Sequence, residues 1–433
     1  SSSLPRAGSD DERNVSLCFD RQELTLNSGD SAYVMIPVAA VDSDNHFTVT
    51  VRSHHEGTRY TATRTQTTGG RLSSNTLAYA TMALDGTQRV SPLFDQAQNQ
   101  YIYYIYTAED FKNMVTAINS NWNFQATPYS SAQFTIMNDI DMSGITIEPI
   151  TGYTGPSFDG NNKTISNLTI SSNSEICALI DTLKFGSTLS DLNLQGVRLI
   201  SNGPSNTRKI SPLTGHVVSE HSFSNFTISL ANLTINDNPS GDIFFGGIVA
   251  TTNTAISFSN CHFSGDVTIS SNGKLYYGGI LGATTTNNNL KLSITSCSNI
   301  DTIHAHLTAV GFLYAGGLIG DAKVLQNTID NQTCLVNFSL SGIRIFSGGL
   351  IGNLTNTNTV LCSLTIKNAI KVAGIISFNT TPNYCYIGTL YGSGKPFSQY
   401  GISRNINYDA SEMTIPANNV PNSNIHTGNP SYR

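Results

Sequence analysis

The sequence predicts an all-β protein dominated by a parallel β-solenoid. Three observations point there: polar content made of amides and hydroxyls, a repeated Gly-Gly phrase, and a single amphipathic helix. Of 433 residues only 12% are charged, against about 25% in an average globular chain, while 39% are apolar. Asparagine alone, at 44, outnumbers Asp and Glu together at 29. That apolar content excludes a disordered chain, and Asn, Gly, Ser and Thr supply turns and β-branched strand positions. A formal charge of −6, with no Lys/Arg run longer than Arg208-Lys209, argues against nucleic-acid binding. No apolar run approaches the ~18 residues of a membrane helix. The chain starts at Ser1 without Met or leader, which reads as a mature or trimmed fragment. Seven cysteines, an odd number with no Cys-x-x-Cys pair, argue against a complete disulfide framework and against zinc.

Residues 1–12 are polar and read as a flexible arm. Its Arg6 and the following Arg13 flank the first predicted strand, where a trypsin-like protease could mature a pilin-type subunit. Residues 13–103 contain short alternating stretches, Val15–Phe19, Tyr33–Val38, Phe47–Val51 and Leu77–Met82, separated by turn signals such as Asn27-Ser28-Gly29-Asp30. That spacing predicts a small β-sandwich. A helix follows: Thr107 and Asp110 form a capping box, and Phe111, Met114, Val115 and Ile118 recur at helical spacing. Its apolar face fits the open end of a repeat stack, which needs a cap. The helix opens the region 104–395, and 396–433 reads as a terminal cap and loose tail.

The repeat is Gly-Gly-[Ile/Leu]-[Val/Leu/Ile], at Gly246-Gly247, Gly278-Gly279, Gly316-Gly317 and Gly348-Gly349, with intervals of 32, 38 and 32 residues. Periods of this length mark solenoids or propellers. Weaker copies are Ala178-Leu179-Ile180, Ala373-Gly374-Ile375-Ile376 and Ile387-Gly388-Thr389-Leu390. Two positional ladders accompany the repeat. An aromatic stands two residues before each Gly-Gly (Phe244, Tyr276, Tyr314, Phe346), and a cysteine follows each one after 13 to 18 residues (Cys261, Cys297, Cys334, Cys362). In a solenoid, equivalent positions stack about 4.8 Å apart. Strand alternation puts each aromatic on the face of the Ile or Leu two residues past the first glycine. Both ladders are therefore expected in the core; the alternatives are an exposed sugar platform for the rings, and metal ligands or disulfides for the thiols.

The stretch Tyr104–Phe111, Phe134–Met142, Glu148-Pro149-Ile150 and Phe158–Leu168, together with the Gly-Gly-[Ile/Leu]-x-Gly copies, resembles the GLUG-motif cell-surface proteins of Bacteroidetes and other bacteria. The departures are Ala250 in place of the last glycine of the first full copy, and Ile for Leu twice. The resemblance covers about residues 100 to 395. It implies a right-handed parallel β-helix on an exported, cell-surface protein, often an adhesin. The N-terminal module resembles, more loosely, sandwich modules of fimbrial subunits in the same bacteria.

Parallel β-helices also carry polysaccharide lyases and hydrolases, so carboxylate groups matter. Asp139 and Asp141 share a strand face and Asp159 lies in the next coil; a calcium or acid/base cluster competes there with turn hydrogen bonding. His304-x-His306 places two imidazoles on one face, either a weak metal site or a surface pair. His216, His221 and His262 follow no usable spacing. Gly388–Lys395 departs from a phosphate loop in glycine position and by Pro396 after the lysine. No residue is assigned a catalytic, cofactor-binding or metal-binding role, and no cofactor is expected.

The expectation is an exported protein of the bacterial outer-membrane surface, with a lipid-modified residue ahead of Ser1 as one means of anchoring. It would be an adhesin whose partner is a host or microbial glycan or a surface protein, with nucleic acid excluded. The neutral polar composition suits sugar hydroxyls. A carbohydrate-active enzyme and a structural subunit of a surface fibre are the alternatives.

Overall fold

The computed structural model describes residues 46–55, 58–67, 93–95, 404–409, 412–414 and 425–426 and, apart from short gaps, 100–394. The chain divides into two units, Ser1–His55 with Arg59–Gln88, and Glu56–Thr58 with Arg89–Arg433. Strands His46–His55 and Thr58–Thr67 form a two-stranded sheet. The arm at 1–12 and most of the expected sandwich lie outside the described residues.

The second unit is a right-handed parallel β-solenoid of about seven turns. One coil runs Ile256–Ser264, Asp266–Ser271, Leu275–Gly278 and Leu281–Thr284. Each strand pairs in parallel with its counterpart in the next coil: Ile256 with Leu292, Val267 with Ala305, Leu275 with Leu313, Leu281 with Ile319. Among the described residues, the first three strands of each coil belong to a continuous sheet of 24 strands, and the fourth to a separate ladder of seven. They are called here the first to fourth sheets. The first rung is Gln100–Ile105, parallel to Gln133–Ile136, and that strand in turn meets Phe158 and Asp159.

One helix, Ala108–Asn119, connects those first two rungs. Its capping box is complete: the Thr107 hydroxyl accepts from Asp110 N at 3.1 Å and the Asp110 carboxylate accepts from Thr107 N at 3.2 Å. Phe111, Met114, Val115 and Ile118 are buried in the same apolar cluster as the first coils. Asn119 ties the far end down, donating to Pro149 O at 2.9 Å and accepting from Thr151 N at 2.8 Å.

Inward positions repeat down the axis, so like rings stack on like. Phe223 lies on Phe258 at 5.4 Å between centroids, and Phe245 on Tyr277 at 5.2 Å, with planes nearly parallel. The first sheet bends in mid-strand at residues with positive φ, Asp191 (58°), Asn225 (60°) and Asn260 (53°), and Ser296 (52°) follows just past the end of the equivalent strand Lys291–Thr295. Asn and Asp tolerate that left-handed region better than other non-glycine residues. Side-chain bonds then run along the bend, from Asn225 to Asp191 Oδ1 at 2.7 Å and from Asn260 to Asn225 Oδ1 at 2.9 Å.

The Gly-Gly phrase is the corner between the third and fourth sheets. A side chain on Gly246, Gly278, Gly316 or Gly348 would overlap the carbonyl oxygen of Val249, Leu281, Ile319 or Ile351, where the chain folds back on itself. The second glycine faces the other way: a Cβ on Gly247 would strike the Phe263 ring, and one on Gly317 the Cys334 sulfur. Gly282, Gly320 and Gly352, on the returning strand, abut the backbones of Phe245, Tyr277 and Ala315. The two sheets therefore touch backbone to backbone.

Register revises the weaker copies. Thr214 aligns with Val249 and Ile180 with Thr214, so Ser211-Pro212-Leu213-Thr214 is a corner that carries no glycine. Ala373–Ile376 is not a corner; it lies on the second sheet opposite Leu335–Phe338. Beyond residue 395, Arg404–Asp409, Met413–Thr414 and Ile425–His426 pair in parallel with Ile366–Lys371, Gly374–Ile375 and Ile387–Gly388, so the predicted tail continues the solenoid.

Two substitutions test this packing. Gly316→Ala is expected to cost about 2 kcal/mol or more, because a close-packed backbone must move. Tyr277 is fully buried and its hydroxyl has no hydrogen-bond partner among the described residues, so Tyr277→Phe should stabilise by about 1 kcal/mol. Thermal unfolding of both variants against the parent checks the two signs.

Candidate ligand-binding face

The aromatic ladder forms, but on the face opposite the one expected. Ile243 and Phe245, Leu275 and Tyr277, Leu313 and Ala315 point into the core, while Phe244, Tyr276, Tyr314 and Phe346 share the face of the first glycine. The corner at Gly247-Ile248 reverses the chain, so alternation cannot be counted across it. The rings stack at 4.4, 4.8 and 5.1 Å, and Tyr386 extends the column at 5.7 Å. Phe312 packs beside Tyr314 and Phe346, with the Arg344 guanidinium 4.8 Å over its ring. Each inner ring has its faces covered by its neighbours, leaving only edges. A sugar stacks on a ring face, so this column is packing rather than a platform. Burial first, then the nearby Asp321 carboxylate, push the Tyr276 and Tyr314 hydroxyls well above their ordinary value.

The cysteine ladder is shorter than spacing suggests. Cys261, Cys297 and Cys334 are all fully buried, and Cys261 N lies 3.4 Å from the Cys297 sulfur. The next coil places Gln332 beside Cys297, where its Oε1 accepts from Cys297 N at 3.0 Å. Cys334 sits two residues further on and pairs with Val372. Irregular register shifted the count by one inward position, and Cys362 lies outside the described residues. Burial pushes Cys177 and Cys385 up to about 12.

The carboxylates of the first coils are engaged in local turns and in bonds to the next coil. Asp139 accepts from Thr164 N at 2.8 Å and Asp159 from Asn161 N at 2.7 Å. Asp141 accepts from the Ser143 hydroxyl at 2.7 Å and from the Asn167 amide at 2.8 Å. The Asn167 bond above all, then Ser143, hold the Asp141 carboxyl below its ordinary 3.8. Three histidines have structural partners: His216 Nδ1 lies 2.8 Å from the Thr251 hydroxyl, His221 Nδ1 lies 2.6 Å from Ser219 O, and His262 bridges Asn260 and Ser298. Burial lowers His216 and His221. Gly388 and Tyr391–Gly394 are ordinary rungs of the third and fourth sheets.

The outer face of the second sheet has a different character. Inward residues of Ile303–Gly316, Ile303, Ala305, Leu307 and Ala309, are buried, and alternation turns His304, His306, Thr308 and Val310 to solvent. Adjacent strands continue three columns: Asp266, His304, Asn337 and Ile375; Thr268, His306, Ser339 and Ser377; Ser270, Thr308 and Ser341. Val310, Ile343 and Ile375 are exposed apolar side chains on the same strands. Neither imidazole has a hydrogen-bond partner among the described residues. Four strands at about 4.8 Å spacing make this a flat, nearly uncharged grid about 14 Å wide. Among the described residues no cluster of three His, Cys, Asp or Glu has metal-binding geometry.

No family model and no curated protein matches the chain. Among solved structures, it is similar to a Bacteroides ovatus chain named as an immunoglobulin A1 protease-like protein. The identity is 15% and the TM-score 0.45, over 73% of this chain and 85% of that one.

Asp141 makes a signed prediction. Its folded value lies below the unfolded one, so its contribution is full above the unfolded value and is lost as pH falls through the folded one. Asp141→Ala should flatten the acid limb of the thermal midpoint measured from about pH 6 to about pH 2. At Cys177 a thiol raised from 9.0 to about 12 carries about a thousandfold less thiolate at mild pH. Iodoacetamide followed by mass spectrometry should label it only after denaturant is added.

Proposed function

We propose that this chain is a non-catalytic binding scaffold, an exported surface adhesin of the GLUG type whose second-sheet face holds a neutral glycan. The observation that carries the reading is the partnerless pair His304 and His306 within a grid of hydroxyl and amide groups, edged by exposed Ile375 and Val310. Neutral donors and acceptors beside apolar carbons match a sugar, which offers hydroxyls and C–H faces. Binding is favoured over catalysis because Asp139, Asp141 and Asp159 each commit Oδ1 to hydrogen bonds within the protein. A rigid parallel stack suits display, since it orders the face before any ligand arrives.

The test is retention of the full chain on a panel of host and plant polysaccharides, with product analysis on the same samples. Retention of at least one neutral polysaccharide is expected, weakened about tenfold, or 1.4 kcal/mol, by His304→Ala with His306→Ala at unchanged thermal midpoint. Absence of retention overturns the reading. New reducing ends or unsaturated products would replace it with an enzyme.

A further inference from the structure

Asp321 is 1% exposed and Asn353 4% exposed, at paired positions on adjacent strands of the fourth sheet, Ile319–Ala322 and Ile351–Leu354. The same column holds Thr251 and Ala283 in earlier coils, so the repeat itself does not call for a carboxylate there. Asn353 Nδ2 donates to Asp321 Oδ1 at 2.8 Å, while Lys323 Nζ lies 3.5 Å from Asp321 Oδ2. A single carboxylate thus holds an amine on one oxygen and a carboxamide on the other. The Lys323 side chain is 32% exposed, and its backbone N donates to the Thr284 hydroxyl at 2.6 Å, which fixes the point from which the side chain reaches back. The Tyr276 and Tyr314 hydroxyls lie near enough to feel the Asp321 charge.

From this triad we propose that Lys323 and Asn353 join in an intramolecular isopeptide bond, with Asp321 moving the protons. Asp321 takes one proton from the Lys323 ammonium, and the freed amine attacks Cγ of Asn353. The Nζ–Cγ bond forms and the Cγ–Nδ2 bond breaks as Asp321 returns a proton to Nδ2. Ammonia leaves and carries away the remaining proton as ammonium. The products are a secondary amide and a regenerated carboxylate. No oxidant, reductant or metal is required. Water is largely excluded at Asp321 and Asn353, which protects the amide from hydrolysis. The bond ties consecutive coils along the solenoid axis covalently, in addition to the backbone ladders and side-chain contacts already there. It is independent of what the outer face binds.

Intact-mass spectrometry of the denatured full chain is the test. The expected mass is short of the sequence by one ammonia, and a protease digest should yield a branched peptide joining the segments around Lys323 and Asn353, uncleaved after Lys323. Lys323→Arg keeps the ion pair but cannot form the bond, so it should restore the full mass and lower the thermal midpoint by several degrees. Asp321→Asn should restore the full mass as well. A parent chain of full mass with cleavage after Lys323 overturns the proposal. So does an ammonia loss that persists in Lys323→Arg, which would place it at a succinimide elsewhere.

Discussion

Backbone-to-backbone contact at the glycine corners is the constraint on which the rest of this solenoid depends. The returning strand of each coil lies against the strand it has just left, at a separation that leaves no room for a Cβ on Gly246, Gly278, Gly316 or Gly348. Gly282, Gly320 and Gly352 meet the same requirement from the other side. Once these positions are set, the chain can reverse within two residues, and the fourth sheet becomes a separate ladder buried on both faces. Earlier corners at Ala178 and Ser211 manage with small or kinked residues, and there the Leu at the third place is the common element.

Stacking transmits that constraint from coil to coil. Because every strand pairs in parallel with its successor, a choice made at one position is repeated above and below it. Aromatic columns run inside the coil, as at Phe223 and Phe258, and outside the third sheet, as at Tyr276 and Tyr314. The asparagine bends follow the same logic: Asn225 and Asn260 each place an amide within reach of the residue at the bend of the preceding coil, and the side chains join along the axis. Interactions of modest individual strength, about 0.5–1.5 kcal/mol for an aromatic pair, become substantial by repetition.

The same regularity shapes what can act as a site. Parallel strands bury one face and leave the other flat, and the second sheet's outer face is flat, polar and nearly uncharged. The pair His304 and His306 was visible in the sequence as two imidazoles on one side of a strand, yet the residues beside them, Asp266, Asn337, Ser339 and Ile375, come from other coils at distances no local pattern encodes. The Lys323, Asp321 and Asn353 triad was equally hidden. Asp321 and Asn353 are separated by one coil, and only parallel register makes them neighbours.

What the sequence determined by itself is the repeat and its class. A Gly-Gly phrase at solenoid spacing, with strand phrases between copies, admits few architectures, since close backbone approach tolerates only glycine. The helix was also legible, because its capping box and apolar spacing are local. The tertiary structure alone decided which way the ladders face and how far they run. The aromatic column lies on the side of the third sheet opposite Phe245 and Tyr277, with Tyr276 and Phe346 buried there, because the corner reverses the chain and breaks the count of alternation. The cysteine column stops at Gln332 because register irregularities change the number of residues per coil. Local periodicity fixes faces only within one unbroken strand, and across a corner or a bulge the packing of neighbouring coils takes over.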